Sequence, residues 1–270
     1  MGKRDNDRGT YHIPEMEREW PAEPELGLGA GEAYSVTTVL RVIAKPALVG
    51  WAAKLERQHV LSVAEALCVE GDTPERPGTI LDWGSLAPKV KAKLEADGYA
   101  HARALTSTSE EGSSLHHRIA TGAPGSANVE AQYLAYQEWL RGGDMEVREQ
   151  ELLVWHPELR VAGTLDLVVS GPLFAGVVDI KTSDSGIYDE HLIQVAAYLA
   201  AYRQANLMDV RQAGILRIPR SEKERARLTK KLGHPYEWRM LSQSELALAN
   251  YAMLAAIKLH NAMLGLKKGA

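Results

Sequence analysis

Four consecutive runs decide the fold: EVREQELLVW (146–155), RVAGTLDLVVS (160–170), FAGVVDIKT (174–182) and DEHLIQVAAYLAAYRQ (189–204). The first three are rich in β-branched and apolar residues and are separated by the turn signals HPEL and GP, which predicts a three-stranded antiparallel meander. The fourth carries apolar residues at helical spacing, which predicts a helix from about Asp189 to Gln204.

Beyond the helix, VRQAGILRIP (210–219) reads as another strand and the charged stretch to Lys231 as a loop or hairpin tip. PYEWRML (235–241) reads as a last strand, and a helix over roughly 242–266 closes the chain. Upstream, helices are expected over roughly 127–141, 99–120 and 84–97. Pro46 suits the first turn of a helix running to about Glu70 that carries Leu48, Trp51, Ala52, Leu55 and Val60 to Leu67, and GDTPERPG (71–78) is rich in turn residues. In YSVTTVL (34–40), Ser35 is placed to cap a short helix. Residues 1–33 hold three prolines and eight acidic against four basic residues, without a regular apolar period, and read as an extended or disordered acidic arm. The expectation is α/β: a central mixed β-sheet flanked by helices, in one domain over 34–270. That domain comprises a mainly helical section (34–141), a catalytic sheet and helix (142–240) and the C-terminal helix (241–270).

Composition narrows the function. The 270 residues are 45% hydrophobic and 24% charged, with a net charge of -4, so global basicity gives no argument for nucleic acid and leaves only a local basic groove. Cys68 is the single cysteine, which excludes an intramolecular disulfide, a zinc site of several thiolates and a cysteine-held iron–sulfur cluster. It also makes a reducing cytoplasm the expected compartment. The N-terminus lacks an apolar signal-peptide core, and the longest apolar run, Val195 to Tyr202, is too short to span a bilayer.

The chemistry lies in residues 149–202. Asp179 and Lys181 are two apart on a predicted strand and so share one face, while Val178 and Ile180 point to the other. A hairpin brings Asp166, in AGTLDLVV, beside Asp179, and two converging carboxylates repel unless a cation lies between them. Hard oxygen ligands suit Mg²⁺ or Mn²⁺, and an adjacent lysine suits the orientation or deprotonation of a water, together describing metal-assisted phosphodiester hydrolysis. Taken alone, Asp179 and Lys181 fit an ordinary surface ion pair better than a catalytic site. Glu151, one strand earlier, is within reach of the same cluster or is a solvent-facing strand carboxylate. Gln194 and Tyr198, four apart, share a helical face: Gln194 is suited to hydrogen-bond a phosphate or base and Tyr198 to stack or to hold the lysine, or the two form the polar shoulder of an amphipathic helix. Of His116 and His117, neighbours on a helix diverge by about 100°, so at most one turns toward such a site.

The ordered series G-S-S-L-H ending at His116, Glu151, G-T-L-D ending at Asp166, D-I-K at 179–181 and Q-x-x-x-Y at 194–198 resembles the PD-(D/E)XK nuclease superfamily. The similarity is to its RecB-like branch, which includes phage-encoded exonucleases and the mitochondrial genome maintenance exonuclease, and it covers about residues 34–220. The resemblance implies a restriction-endonuclease-like fold. It further implies Mg²⁺ or Mn²⁺ held by His116, Asp166, Asp179 and the backbone carbonyl of Ile180, with Glu151 completing the shell. Lys181 would serve the nucleophilic water, and Gln194 and Tyr198 would line a DNA track. Cluster-bearing relatives hold an iron–sulfur group on four cysteines, which Cys68 alone cannot supply.

Charge is uneven along the chain. Between Ala201 and Arg239 ten basic residues face four acidic ones, a balance of +6 that is either a solvated loop or a hold on a phosphate backbone through Arg217, Arg220, Arg225, Arg227, Lys230 and Lys231. Tyr198, Trp51 and Trp238 are candidates for stacking on unpaired bases, Trp51 fitting core packing better. The leading expectation is a metal-dependent DNA exonuclease in recombination, repair or processing, acting on single strands or free ends. Its partner would be a single-strand-annealing or recombination protein, and its compartment the host cytoplasm if phage-encoded. The alternatives are a structure-selective endonuclease and a DNA-end-binding module that does not cut.

Overall fold

A computed structural model describes residues 3–5, 9–43, 46–71, 83–205 and 210–268. The turn-rich residues 72–78 and the side chain of Trp51 lie outside the described part. Where the sequence reading draws one domain from residue 34, the chain divides into two compact units, Met1–Ile43 with Ser114–Ala270, and Ala44–Ser113.

The smaller unit is helical. Helices α2 (Pro46–Gly71) and α3 (Trp83–Asp97) bury Val63 against Val90, with Ala64, Leu67 and Leu94 around them. Helix α4 (Ala100–Thr121) follows, and its last eight residues belong to the larger unit.

The larger unit is a mixed α/β fold built on an open sheet. Its strands are β1 (Lys3–Asp5), β2 (Thr10–His12), β3 (Glu32–Ser35), β4 (Glu146–His156), β5 (Val161–Ser170), β6 (Ala175–Lys181), β7 (Gln212–Arg217) and β8 (Glu237–Met240). The sheet order is β1-β2-β3-β5-β6-β7-β8, with β4 paired to β5. The expected meander is present: β4 and β6 both run antiparallel to β5. Helix α6 (Asp189–Ala205) crosses from β6 to β7, which therefore run parallel. The remaining helices are the short α1 (Val36–Val39), α5 (Ala127–Gly142), α7 (Glu222–Leu232) and α8 (Gln243–Lys268).

Burial on both faces explains the near-continuous apolar runs of the central strands. On one face, Val195, Ala196, Leu199 and Tyr202 of α6 and Leu246, Ala249, Met253 and Ala256 of α8 pack with Val154, Leu165, Val177, Ala213 and Ile215 of the sheet. On the other, Leu115 of α4 and Ala135, Tyr136 and Trp139 of α5 cover Leu167, Val169, Val178, Ile180 and Leu216. Among the described residues no helix is long and apolar enough to cross a membrane.

Two expectations change. The described part of the N-terminal arm is folded: Tyr11, Ile13, Met16 and Trp20 are buried beside Ala33 and Ala162, and Trp20 Nε1 donates to Pro157 O at 2.8 Å. The Arg160 guanidinium ties the arm down through Glu23 and the carbonyls of Pro21, Gly29 and Glu32. Short strands and a 3₁₀ turn bury single apolar residues without a repeating period, so periodicity misses them. The charged stretch after Pro219 is helix α7, not a loop. Ser221 caps it by accepting from Glu224 N at 3.2 Å, and Gly233 closes it at φ 87°.

Candidate metal centre

Strands β5 and β6 stay paired only as far as Leu167 and Val178; beyond that point β6 parts from β5 while remaining paired with β7 on its other side as far as Lys181. The Ile180 N–H, leaving the β5 ladder, donates instead to Asp166 Oδ2 at 2.6 Å. The parting strands thus open a gap with Asp166 on one lip and Asp179 and Lys181 on the other.

Three elements bring ligand-type atoms to this gap. His116 on α4 places Nδ1 3.2 Å from Glu151 Oε1 and 3.4 Å from Asp166 Oδ1. The ligand-type atoms of His116, Glu151 and Asp166 all lie within 4.8 Å of one another. Glu151 sits opposite Asp166, between the pairs Gln150 with Leu167 and Leu152 with Leu165. Its φ of 49° lies in the left-handed region, a conformation that costs a residue with a Cβ on the order of 1–3 kcal/mol. His116 turns inward, as only one of the adjacent histidines can.

Beside this triad, Asp179 is almost fully buried (1% exposed) with Lys181 Nζ 2.7 Å from its Oδ2. Lys181 Nζ also donates to Gln194 Oε1 at 3.0 Å, and Gln194 Nε2 donates to Tyr198 Oη at 3.0 Å. Tyr198 is itself buried, and the room for its ring comes from Gly163: a Cβ there would lie 2.5 Å from Tyr198 Cε1. The glycine of G-T-L-D and the tyrosine of Q-x-x-x-Y thus serve one contact. Gln194 and Tyr198 act as a brace behind Lys181; burial takes the tyrosine off any exposed track.

Electrostatics follow from the crowding of carboxylates. Burial works against a charged His116, yet Asp166, then Glu151 and Asp179, outweigh it and raise its pKa to about 9. Burial is the main force pushing Asp166 up to about 6, the charge of Asp179 adding to it and His116 and Lys181 opposing. Lys181 is raised despite its burial by Asp179 and Asp166, and Tyr198 is raised by burial and the same carboxylates. Protons on His116 and Lys181 therefore balance the acidic cluster. One imidazole nitrogen and several carboxylate oxygens within reach of one point form a donor set that a hard divalent cation fits.

The basic segment is less available than its sequence suggests. Arg217 is 2% exposed and donates to Glu237 Oε2 at 2.7 Å, to Ser183 O at 3.1 Å and to Asp184 O at 3.3 Å, so it fastens the loop after Lys181 and faces no DNA. Arg225 is buried as well, donating to the carbonyls of Pro219 and Arg220 and to Asn128 Oδ1. Arg220 is half-buried just before α7. Arg227 is exposed but forked onto Glu224, and Lys230 and Lys231 are exposed on the last turn of α7. Trp238 is partly buried at the margin of the core, its ring against Trp139 and Phe174. The structural role of Arg217 has a sequence signal after all: an arginine inside the apolar run AGILRIP lies on a buried strand and needs internal partners.

No protein-family model matches this chain, and no curated protein does. Among solved structures, an alkaline exonuclease from Laribacter hongkongensis is similar at 15% identity, over 58% of this chain and 82% of that chain, with a TM-score of 0.32. The fold described above stands on its own strand order and register, not on that likeness.

Proposed function

We propose that this chain is a divalent-metal-dependent DNA nuclease of the PD-(D/E)XK type, acting as an exonuclease. One observation carries the reading: His116, Glu151 and Asp166 meet within 4.8 Å, beside a buried Asp179–Lys181 pair, where two strands part. Repelling carboxylates gathered at a folding cost are expected where a cation binds.

His116, Asp166, Asp179 and the Ile180 carbonyl, with Glu151, are the groups that would hold Mg²⁺ or Mn²⁺. When bound, the ion supplies Lewis-acid polarisation of a phosphate oxygen and lowers the pKa of a coordinated water. Lys181 stays charged between Asp179 and Gln194, so it acts as a donor that orients the water and balances charge growing on the phosphate, not as the base. Gln194 and Tyr198 hold its ammonium in place. Of the six residues named for a phosphate contact, the exposed Lys230 and Lys231 are the ones proposed to make it. Recombination, repair or end processing in a cytoplasm, alongside a strand-annealing partner, is the setting such an activity fits.

The test is digestion of linear single- and double-stranded DNA, labelled at either end, with and without Mg²⁺ or Mn²⁺. Metal-dependent release of nucleotides is expected from the native chain. None is expected from Asp179→Asn or Lys181→Met variants whose circular dichroism is unchanged. Cleavage that persists in both variants would overturn the site. Mn²⁺ binding absent by calorimetry, with DNA ends still bound, would favour the binding module, and cutting of closed circular single strands would favour an endonuclease.

A further inference from the structure

Among the described residues of the larger unit, none covers one long face of the 26-residue helix α8. Its inner face buries Leu246, Ala249, Met253 and Ala256. A second face, centred roughly 120° round the helix from the first, shows Leu248 (69% exposed), Tyr251 (75%), Leu259 (49%), Met263 (42%) and Leu266 (76%). At about 100° per residue these five fall within roughly 60° of a single line. Ala255 and Ala262, also exposed, fill the same stripe. From Leu246 to Leu266 the only Lys, Arg, Asp or Glu is Lys258. A solvated helix face of this length normally carries charge in every turn or two, and a contiguous exposed apolar patch marks an interaction surface.

We infer that α8 is the interface of a homodimer, pairing antiparallel with α8 of a second copy about a two-fold axis near residue 257. The spacing of the stripe is the same read from either end, as a self-complementary surface requires. In that register Leu248 faces Leu266 of the partner subunit, Tyr251 faces Met263 of the partner subunit and Ala255 faces Leu259 of the partner subunit. Large side chains meet large ones toward the ends, and the small Ala255 lets the two backbones approach near the centre. The exposed area of the stripe is roughly 700 Å² per chain, close to the ~800 Å² per partner of a standard specific interface. A bilayer surface is the poorer occupant, because an interfacial helix carries basic residues along the whole of its polar flank, whereas this one has Lys258 in its middle and otherwise only Lys267 and Lys268 at its very end.

Sedimentation velocity on the full chain from 1 to 100 μM tests the pairing. A species of twice 29.6 kDa is expected. The double variant Tyr251→Lys with Leu259→Glu, whose side chains point outward, should keep its circular dichroism and melt where the native chain does when diluted to monomer, while the dimer dissociation constant rises at least 100-fold. In a Cys68→Ser background, chains carrying Leu248→Cys and Leu266→Cys should form a disulfide-linked pair when mixed and none when kept apart. A native chain that stays monomeric at 100 μM, or a dimer untouched by the double variant, overturns the interface. Cross-linking of either cysteine variant with itself overturns the antiparallel register, and binding to neutral or anionic vesicles by a monomer assigns the face to lipid instead.

Discussion

Lys181 is held by a chain of neighbouring residues. Its ammonium lies between Asp179 and Gln194, Gln194 is held by Tyr198, and Tyr198 fits only because position 163 has no side chain. Gly163→Ala pushes a methyl group into the tyrosine ring, so a stability loss of ~1–3 kcal/mol by urea titration is expected from overpacking. Turnover of linear DNA should fall further than the folded fraction does. Tyr198→Phe, which leaves the Gln194 amide one acceptor short in a buried place, should cost ~1–2 kcal/mol and lower turnover with little change in KM. A Gly163→Ala chain as stable and as active as the native one would show that the brace does not position Lys181. The D-x-K spacing was legible because a strand's period of two puts both side chains on one face whatever surrounds them. A hold of Tyr198 on the lysine was legible only as one option beside stacking, because choosing between them depends on how far α6 tilts over β5, which no spacing within either element records.

Helices and strands with a regular apolar period were readable from sequence, and those without one were not. The meander, α6 and α8 announce themselves through continuous burial, whereas α7 buries only Arg225 and Leu228 and reads as a charged loop. Its signal was the cap: Ser221 and Glu224 have the spacing of a capping box, ahead of Gly233. Ser221→Ala should therefore lower stability by about 1 kcal/mol, read from chemical denaturation. Lys230→Glu with Lys231→Glu should leave stability nearly unchanged while raising KM for DNA and flattening its salt dependence. If that double variant binds DNA as the native chain does, α7 is a solvated face. At the start of α8, Glu245 is held down to about 2 by the Ser242 backbone N–H, then by Arg239 and the Ser242 hydroxyl. A depressed carboxylate stabilises the fold above its ordinary value near 4.5 and loses that contribution as pH falls toward 2. The melting-temperature gap between the native chain and Glu245→Gln should thus be full above about pH 4.5 and close by pH 2; a gap independent of pH would deny the cap its charge.

At the scale of the whole chain, a formal charge of -4 conceals a cluster that gathers Glu151 and Asp166 around one imidazole, with the buried Asp179 paired to Lys181 beside it. Two of the ten basic residues between Ala201 and Arg239, Arg217 and Arg225, are interior, so the +6 balance overstates the basic surface. Charge summed along a sequence cannot separate arginines that fasten loops from those that meet a partner, since burial decides between the two. The acidic cluster makes its own demand. His116, Glu151, Asp166 and Asp179 all belong to the larger compact unit, so a bound divalent cation must stabilise that unit. Binding to the folded state alone adds RT ln(1 + [L]/Kd), about 2.7 kcal/mol when the ion is at a hundred times its dissociation constant. For some 200 residues that raises the melting temperature by roughly 5–10 °C. The gain should vanish in Asp166→Asn and shrink in His116→Ala, and amide exchange should slow in β5, β6 and the end of α4 while α2 and α3 keep their rates. Mn²⁺ that leaves the native chain's melting curve unmoved, or protects α2 and α3 instead, would mean that these carboxylates are balanced by His116 and Lys181 alone and that the cluster is no metal centre.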